Sequence, residues 1–132
     1  MATGQVITTN GKKIILDRTY NASPTRLAPS QFSVGTGTTT PSLADTGMET
    51  VVAICGGNLK DFVSSYPVLD ITNLQATIRC LLNSLEANGN ALTEFGIFNK
   101  DGTPLMFNHT VFTSITKNSS TEISFVEKDK IV

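Results

Sequence analysis

No tryptophan, a single histidine, two cysteines and only 16% charged residues occur in the 132 positions of this chain. Each shortage removes a class of function. One histidine, His109, cannot build a His-based metal centre within one chain. Cys55 and Cys80 stand apart, with no CxxC spacing and no ligand partner nearby, and read as two buried thiols made in a reducing compartment. Ten Lys and Arg against eleven Asp and Glu give a net charge of -1. A nucleic-acid module needs a basic face to exchange for phosphate counterions, so that class is set aside. No apolar run approaches the ~20 residues of a membrane-spanning helix, and Met1 to Gln5 lack the charged and apolar regions of a secretory signal. With only Tyr20 and Tyr66 beside the missing tryptophan, a carbohydrate-docking surface lacks its usual aromatic platforms.

What the chain has in quantity is polar and uncharged: some thirty Ser and Thr and about ten Asn. That bias favours strands and turns over long helices. The length sets an expectation of a single domain, residues 1–132, that buries roughly two-thirds of its unfolded surface. The fold class expected is mainly β, an antiparallel β-sandwich or meander with a short N-terminal helix.

Along the chain, Thr9 or Asn10 caps a short helix starting at Gly11 and carrying Ile14, Ile15 and Leu16; a strand competes for the same run. Pro24 and Pro29 keep 21–29 extended. Gln31 to Val34 is a strand with Phe32 and Val34 on one face, followed by a Gly-Thr loop. Pro41 to Met48 reads as a helical turn carrying Leu43 and Met48 to the core. Val51 to Cys55 is strand-like. Alternation from Leu74 to Leu82 gives a long strand, with a helix as the competing reading. Leu92 to Phe98 is a strand, Asn99-Lys100-Asp101-Gly102 a positive-φ hairpin turn, and Leu105 to Ile115 the next strand. The run around Ile123 and Phe125 completes three hairpin-linked strands, preceded by a fourth.

Chemistry-bearing clusters are few. Gly35-Thr36-Gly37 lacks the third glycine of a dinucleotide loop, because Thr40 stands there, and no P-loop Lys follows. It reads as a flexible loop. His109 reads as structural or surface-exposed. Glu94 lies in an otherwise apolar strand and is expected to pair across strands with Arg79. Asn21, Asn108 and Asn118 match a glycosylation sequon by chance in so Asn- and Ser-rich a chain. No catalytic cluster and no cofactor site is expected.

Two stretches nevertheless form a pattern. Phe32-Ser33-Val34-Gly35-Thr36-Gly37-Thr38-Thr39-Thr40-Pro41-Ser42-Leu43-Ala44-Asp45-Thr46-Gly47-Met48 resembles a stretch of bacteriophage tail-fibre and baseplate-associated proteins. Leu92-Thr93-Glu94-Phe95-Gly96-Ile97-Phe98-Asn99-Lys100-Asp101-Gly102 is similar to the strand and hairpin that follow it in that family. Phe112 to Lys117 resembles a further run, with Ser114 where proline is common, and Thr9-Asn10-Gly11-Lys12 resembles the family's opening helix. The resemblance spans Thr9 to Phe125. It marks Gly35, Gly37, Pro41, Asp45, Glu94, Gly96, Asp101, Gly102 and Lys117 as structural motif positions, with Gly96 leaving space for an approaching backbone or side chain. It implies a virion structural protein, made in the host cytoplasm. Its place would be the tail, baseplate or collar, or the capsid as a decoration protein. Expected partners are other virion proteins and copies of itself, without nucleic acid or membrane; a host receptor has no support in the residues. A small glycan hydrolase is the alternative of another class.

Overall fold

The computed structural model describes residues 4–132. Ten elements follow in order: β1 (Gly4–Ile7), α1 (Thr9–Tyr20), β2 (Gln31–Gly35), β3 (Val51–Val52), β4 (Lys60–Asp61), β5 (Val68–Asp70), β6 (Gln75–Leu82), β7 (Asn90–Phe98), β8 (Met106–Lys117) and β9 (Ile123–Lys130). Larger of the two sheets is the one ordered β1-β8-β7-β2-β3, with β4 also on β2; the smaller is β5-β6-β9. All pairings are antiparallel. The two sheets pack as a mainly β sandwich with one short N-terminal helix, as the composition and alternation predict.

Alternation explains the core. On β2, Phe32 and Val34 face inward, opposite Ile97 and Phe95 of β7. Ile78, Cys80 and Leu82 alternate inward from β6. These seven share one buried cluster with Ile54, Phe62, Ala87 and Leu92. Each large side chain so enclosed contributes about 2 kcal/mol of transfer free energy. Aromatic contacts cross the layers: Phe95 stacks on Phe125 of β9 at 4.7 Å between centroids, and Phe125 meets Phe112 of β8 at 5.7 Å.

Several local expectations are corrected. The helix starts at Thr9 and is capped by Thr8, whose Oγ1 accepts from Gly11 N at 3.0 Å, while its own hydroxyl donates to Met106 O at 2.7 Å. Sequence reading placed the cap at Thr9 or Asn10, one or two residues late, because all three side chains can cap a helix; contact with β8 selects Thr8. The last three strands do not form a meander. β7 and β8 do pair, but β9 crosses to the other sheet and pairs with β6 from Leu82↔Ile123 to Gln75↔Lys130. Alternation assigns faces to a strand and says nothing of its neighbour. Pro41 to Met48 is irregular rather than a helical turn, with Leu43 half exposed and only Met48 turned inward. Val51–Val52 alone is strand in the Val51 to Cys55 run, and Cys55 is exposed, so only Cys80 is a buried thiol.

The connection 99–105 also differs from the expected tight turn. Neither Asn99 nor Gly102 adopts positive φ. The fully buried Asn99 side chain organises it instead: Oδ1 accepts from Asp101 N and Leu105 N, and Nδ2 donates to Leu27 O. Asp101 in turn accepts from Leu27 N at 2.9 Å. Gly102 is exposed with open space around it.

Candidate functional site

Phe95 faces the small sheet, so alternation puts Glu94 on the outer face of the large one. There the segment 36–50 folds back over β7. Glu94 is fully buried, and four N–H groups converge on its carboxylate. Gly37 N and Thr50 N each donate to Oε2 at 2.8 Å, Glu49 N donates to Oε1 at 2.9 Å, and His109 Nε2 lies 2.8 Å from Oε1. His109 Nδ1 lies 2.7 Å from Asp45 Oδ2, and Asp45 Oδ2 also accepts from Ser42 N. Each ring nitrogen thus has one carboxylate partner. Thr93 Oγ1 closes the arrangement by donating to Gly37 O at 2.6 Å.

Burial pushes the Glu94 carboxyl up, but the donations from Thr50, Glu49, His109 and Gly37 outweigh it and hold the group below the ordinary glutamate range. The expected cross-strand pair with Arg79 does not form. Arg79 lies on β6 in the other sheet and donates to Ser124 Oγ. The error follows from the supposed meander, which had made β6 and β7 neighbours.

Glycines make this hub possible. A Cβ on Gly35 would collide with the Thr50 carbonyl and Glu94 Oε2, and one on Gly37 with Glu49 Cβ and Glu94 Oε2. On β7, Gly96 lies opposite His109, and the space a side chain there would take is filled by Met48, Met106 and Phe98. Thus Gly35, Gly37, Asp45, Glu94 and Gly96, separated by up to 61 positions, come together around the Glu94–His109 pair.

The other motif positions lie elsewhere. Pro41 is buried near β1, and Asp101 and Gly102 belong to the 99–105 connection. Lys117 is fully buried at the end of β8, where Nζ donates to Asn88 Oδ1 at 2.7 Å and to Asn118 O at 3.0 Å. It ties the β6–β7 connection to the β8–β9 turn. Nearby, Lys60 Nζ meets Glu86 Oε1 at 2.6 Å.

His109 was the residue that sequence reasoning undervalued. Its one available signal was Glu94, two residues before the glycine it faces. A second polar cluster was missed altogether. Glu127 of β9 reaches into the layer between sheets, accepting from Gln5 Nε2 at 2.7 Å and from Asn108 Nδ2 at 2.9 Å. Burial and the neighbouring Asp129 push its carboxyl up to about 7. Asn108 is itself buried, which places that sequon out of reach of a glycan.

Comparison with protein-family models, curated proteins and solved structures finds no match. The site therefore has to be read from its own chemistry. No group of three or more His, Cys, Asp or Glu side chains among the described residues is arranged to hold a metal ion. Glu94 and His109 fasten the 36–50 segment to the sheet.

Proposed function

We propose that the chain is a structural component of a bacteriophage virion, associated with the tail, baseplate or collar, that acts by packing against other virion proteins and copies of itself. One observation carries this reading. The two stretches that resemble phage tail-fibre and baseplate-associated proteins interlock physically, the first supplying Gly35, Gly37, Asp45 and Met48 and the second Glu94 and Gly96. The pattern that suggested the family is therefore one three-dimensional unit, and its job is to hold an outer segment rigidly on a β-sheet. Rigid presentation of a surface suits a subunit that must fit its neighbours.

In the same geometry Glu94 has both oxygens engaged at zero exposure, which suits a fastening role and leaves no lone carboxylate facing an open cleft. The test is mass spectrometry of density-purified particles from cells that produce the chain. The expected result is the chain in fixed, low stoichiometry to tail proteins. A stoichiometry matching the capsid lattice would move it to decoration of the head, and presence in the lysate but not in particles would overturn the proposal.

A further inference from the structure

At one end of the sandwich the two sheets part around a groove of about 650 Å³. Ile7 of β1, Ile15 of α1 and Phe107 of β8 form one wall; Leu69, Leu74 and Ile131, from β5, the turn after it and the end of β9, form the other. Ile71, in the β5–β6 turn, also lines it, so the turn forms one rim of the groove. We infer that this end is the contact for a second copy of the chain, the β5–β6 turn of each copy seating in the groove of the other about a two-fold axis. The inference rests on the reading of the chain as an assembly subunit and names one surface through which it assembles.

The apolar surface is large for an uncovered face. Ile71 is 77% exposed, Ile131 74%, Leu69 66% and Leu74 55%. With Ile7 and Ile15 these side chains leave one apolar end of the sandwich uncovered, the kind of exposed patch that marks an interaction site.

Backbone geometry at Leu74 points the same way. Its φ is 55°, the left-handed region that glycine and asparagine tolerate and a bulky L-residue disfavours. The turn is otherwise well made, with Asp70 accepting from both Asn73 N and Asn73 Nδ2. In an isolated chain Leu74 is unfavourable twice, in conformation and in exposure. Coverage by a partner turns the side chain into a gain, and strained residues of this kind collect where a surface has work to do.

A second copy fits better than a partner of one charge sign. Asp70, Lys128, Asp129 and Lys130 line the groove, two acids and two bases. A two-fold axis brings the surface against itself and so can set base against acid on both sides. The turn and the groove it borders share one face, as a self-complementary contact requires. A net charge of -1 leaves little repulsion between copies.

Sedimentation velocity of the purified chain over a hundredfold concentration range tests this, with Ile71→Ser and Leu74→Gly alongside. Both positions are solvent-facing, so both variants fold. Expected is a reversible dimer for the wild type, weakened at least about tenfold by Ile71→Ser. Leu74→Gly weakens it similarly, while melting higher than the wild type at concentrations where both are monomers, because glycine accepts the positive φ. A wild type that stays monomeric throughout, or a dimer indifferent to both substitutions, overturns the inference. Particle composition is read separately. A monomeric chain found on particles removes this contact alone, whereas a dimer missing from particles removes the virion proposal alone.

Discussion

Glu94 shows how one side chain can replace a run of secondary structure. Segment 36–50 has almost no ladder of its own, and three of its backbone N–H groups end on this carboxylate. Glu94→Gln puts an amide NH₂ against at least one of those donors. We expect it to lower stability by about 2–3 kcal/mol, read as a shift in the urea midpoint at unchanged slope. The sign of the pH effect follows from the lowered value in the folded state. Stability from Glu94 is complete above its unfolded value near 4.5 and is lost as pH falls through the lower folded value. The Gln variant removes that part of the acid sensitivity. The glycines are graded in the same way. An added Cβ at Gly35 meets the Thr50 backbone, whereas at Gly96 it meets the flexible end of Met48. Gly35→Ala should therefore cost about 3 kcal/mol and Gly96→Ala about 1 kcal/mol or less, measured by thermal melting.

At the scale of elements, the connection 99–105 is held by one buried asparagine rather than by turn glycines. Asn99→Ala strands Asp101 N and Leu105 N and frees Leu27 O. It should cost about 2–3 kcal/mol and speed amide exchange across 99–105 and at Leu27, with the rest of β7 and β8 still protected. Unchanged exchange there would show that the turn stands without Asn99. The same example marks what the sequence could convey. The strands Gln31–Gly35, Gln75–Leu82 and Asn90–Phe98 were legible: in Gln75–Leu82 the more buried face writes its period into the chain, whereas the other two are buried on both faces and show as short apolar runs bounded by turn residues. Partners were not legible. The β6–β9 pairing joins residues about fifty positions apart, and nothing local distinguishes it from a meander. The Glu94–His109–Asp45 contact depends on the register that sets His109 opposite Gly96, so the correct residue types were visible and their meeting was not. Gly35 and Gly37 were marked by resemblance alone, and their physical reason became clear only with Glu94 in place; Gly96 was expected to leave space for an approaching group, and Met48 Cε lies there.

For the whole molecule, the inter-sheet layer carries a strained charge. Glu127 and Asp129 face inward from β9, and burial, then mutual repulsion, raises the Glu127 carboxyl from its ordinary 4.5 to about 7. Between those values the folded chain holds more protons than the unfolded one, so stability falls as pH rises through the window and levels off above it. Glu127→Gln keeps an acceptor for Gln5 and Asn108 and turns an amide towards Asp129. It should raise stability by about 1–2 kcal/mol at pH 8, have little effect at pH 4, and flatten the melting temperature between them. This opposes the Glu94 effect, which acts at lower pH.

The proposal that this chain is a tail-associated virion subunit is tested most directly by immunogold labelling of purified particles with antibody to the folded chain, viewed by electron microscopy. Gold confined to the tail, collar or baseplate is the predicted result. Particles that stay bare, including after partial disassembly, while the chain is abundant in the same lysate, would contradict it.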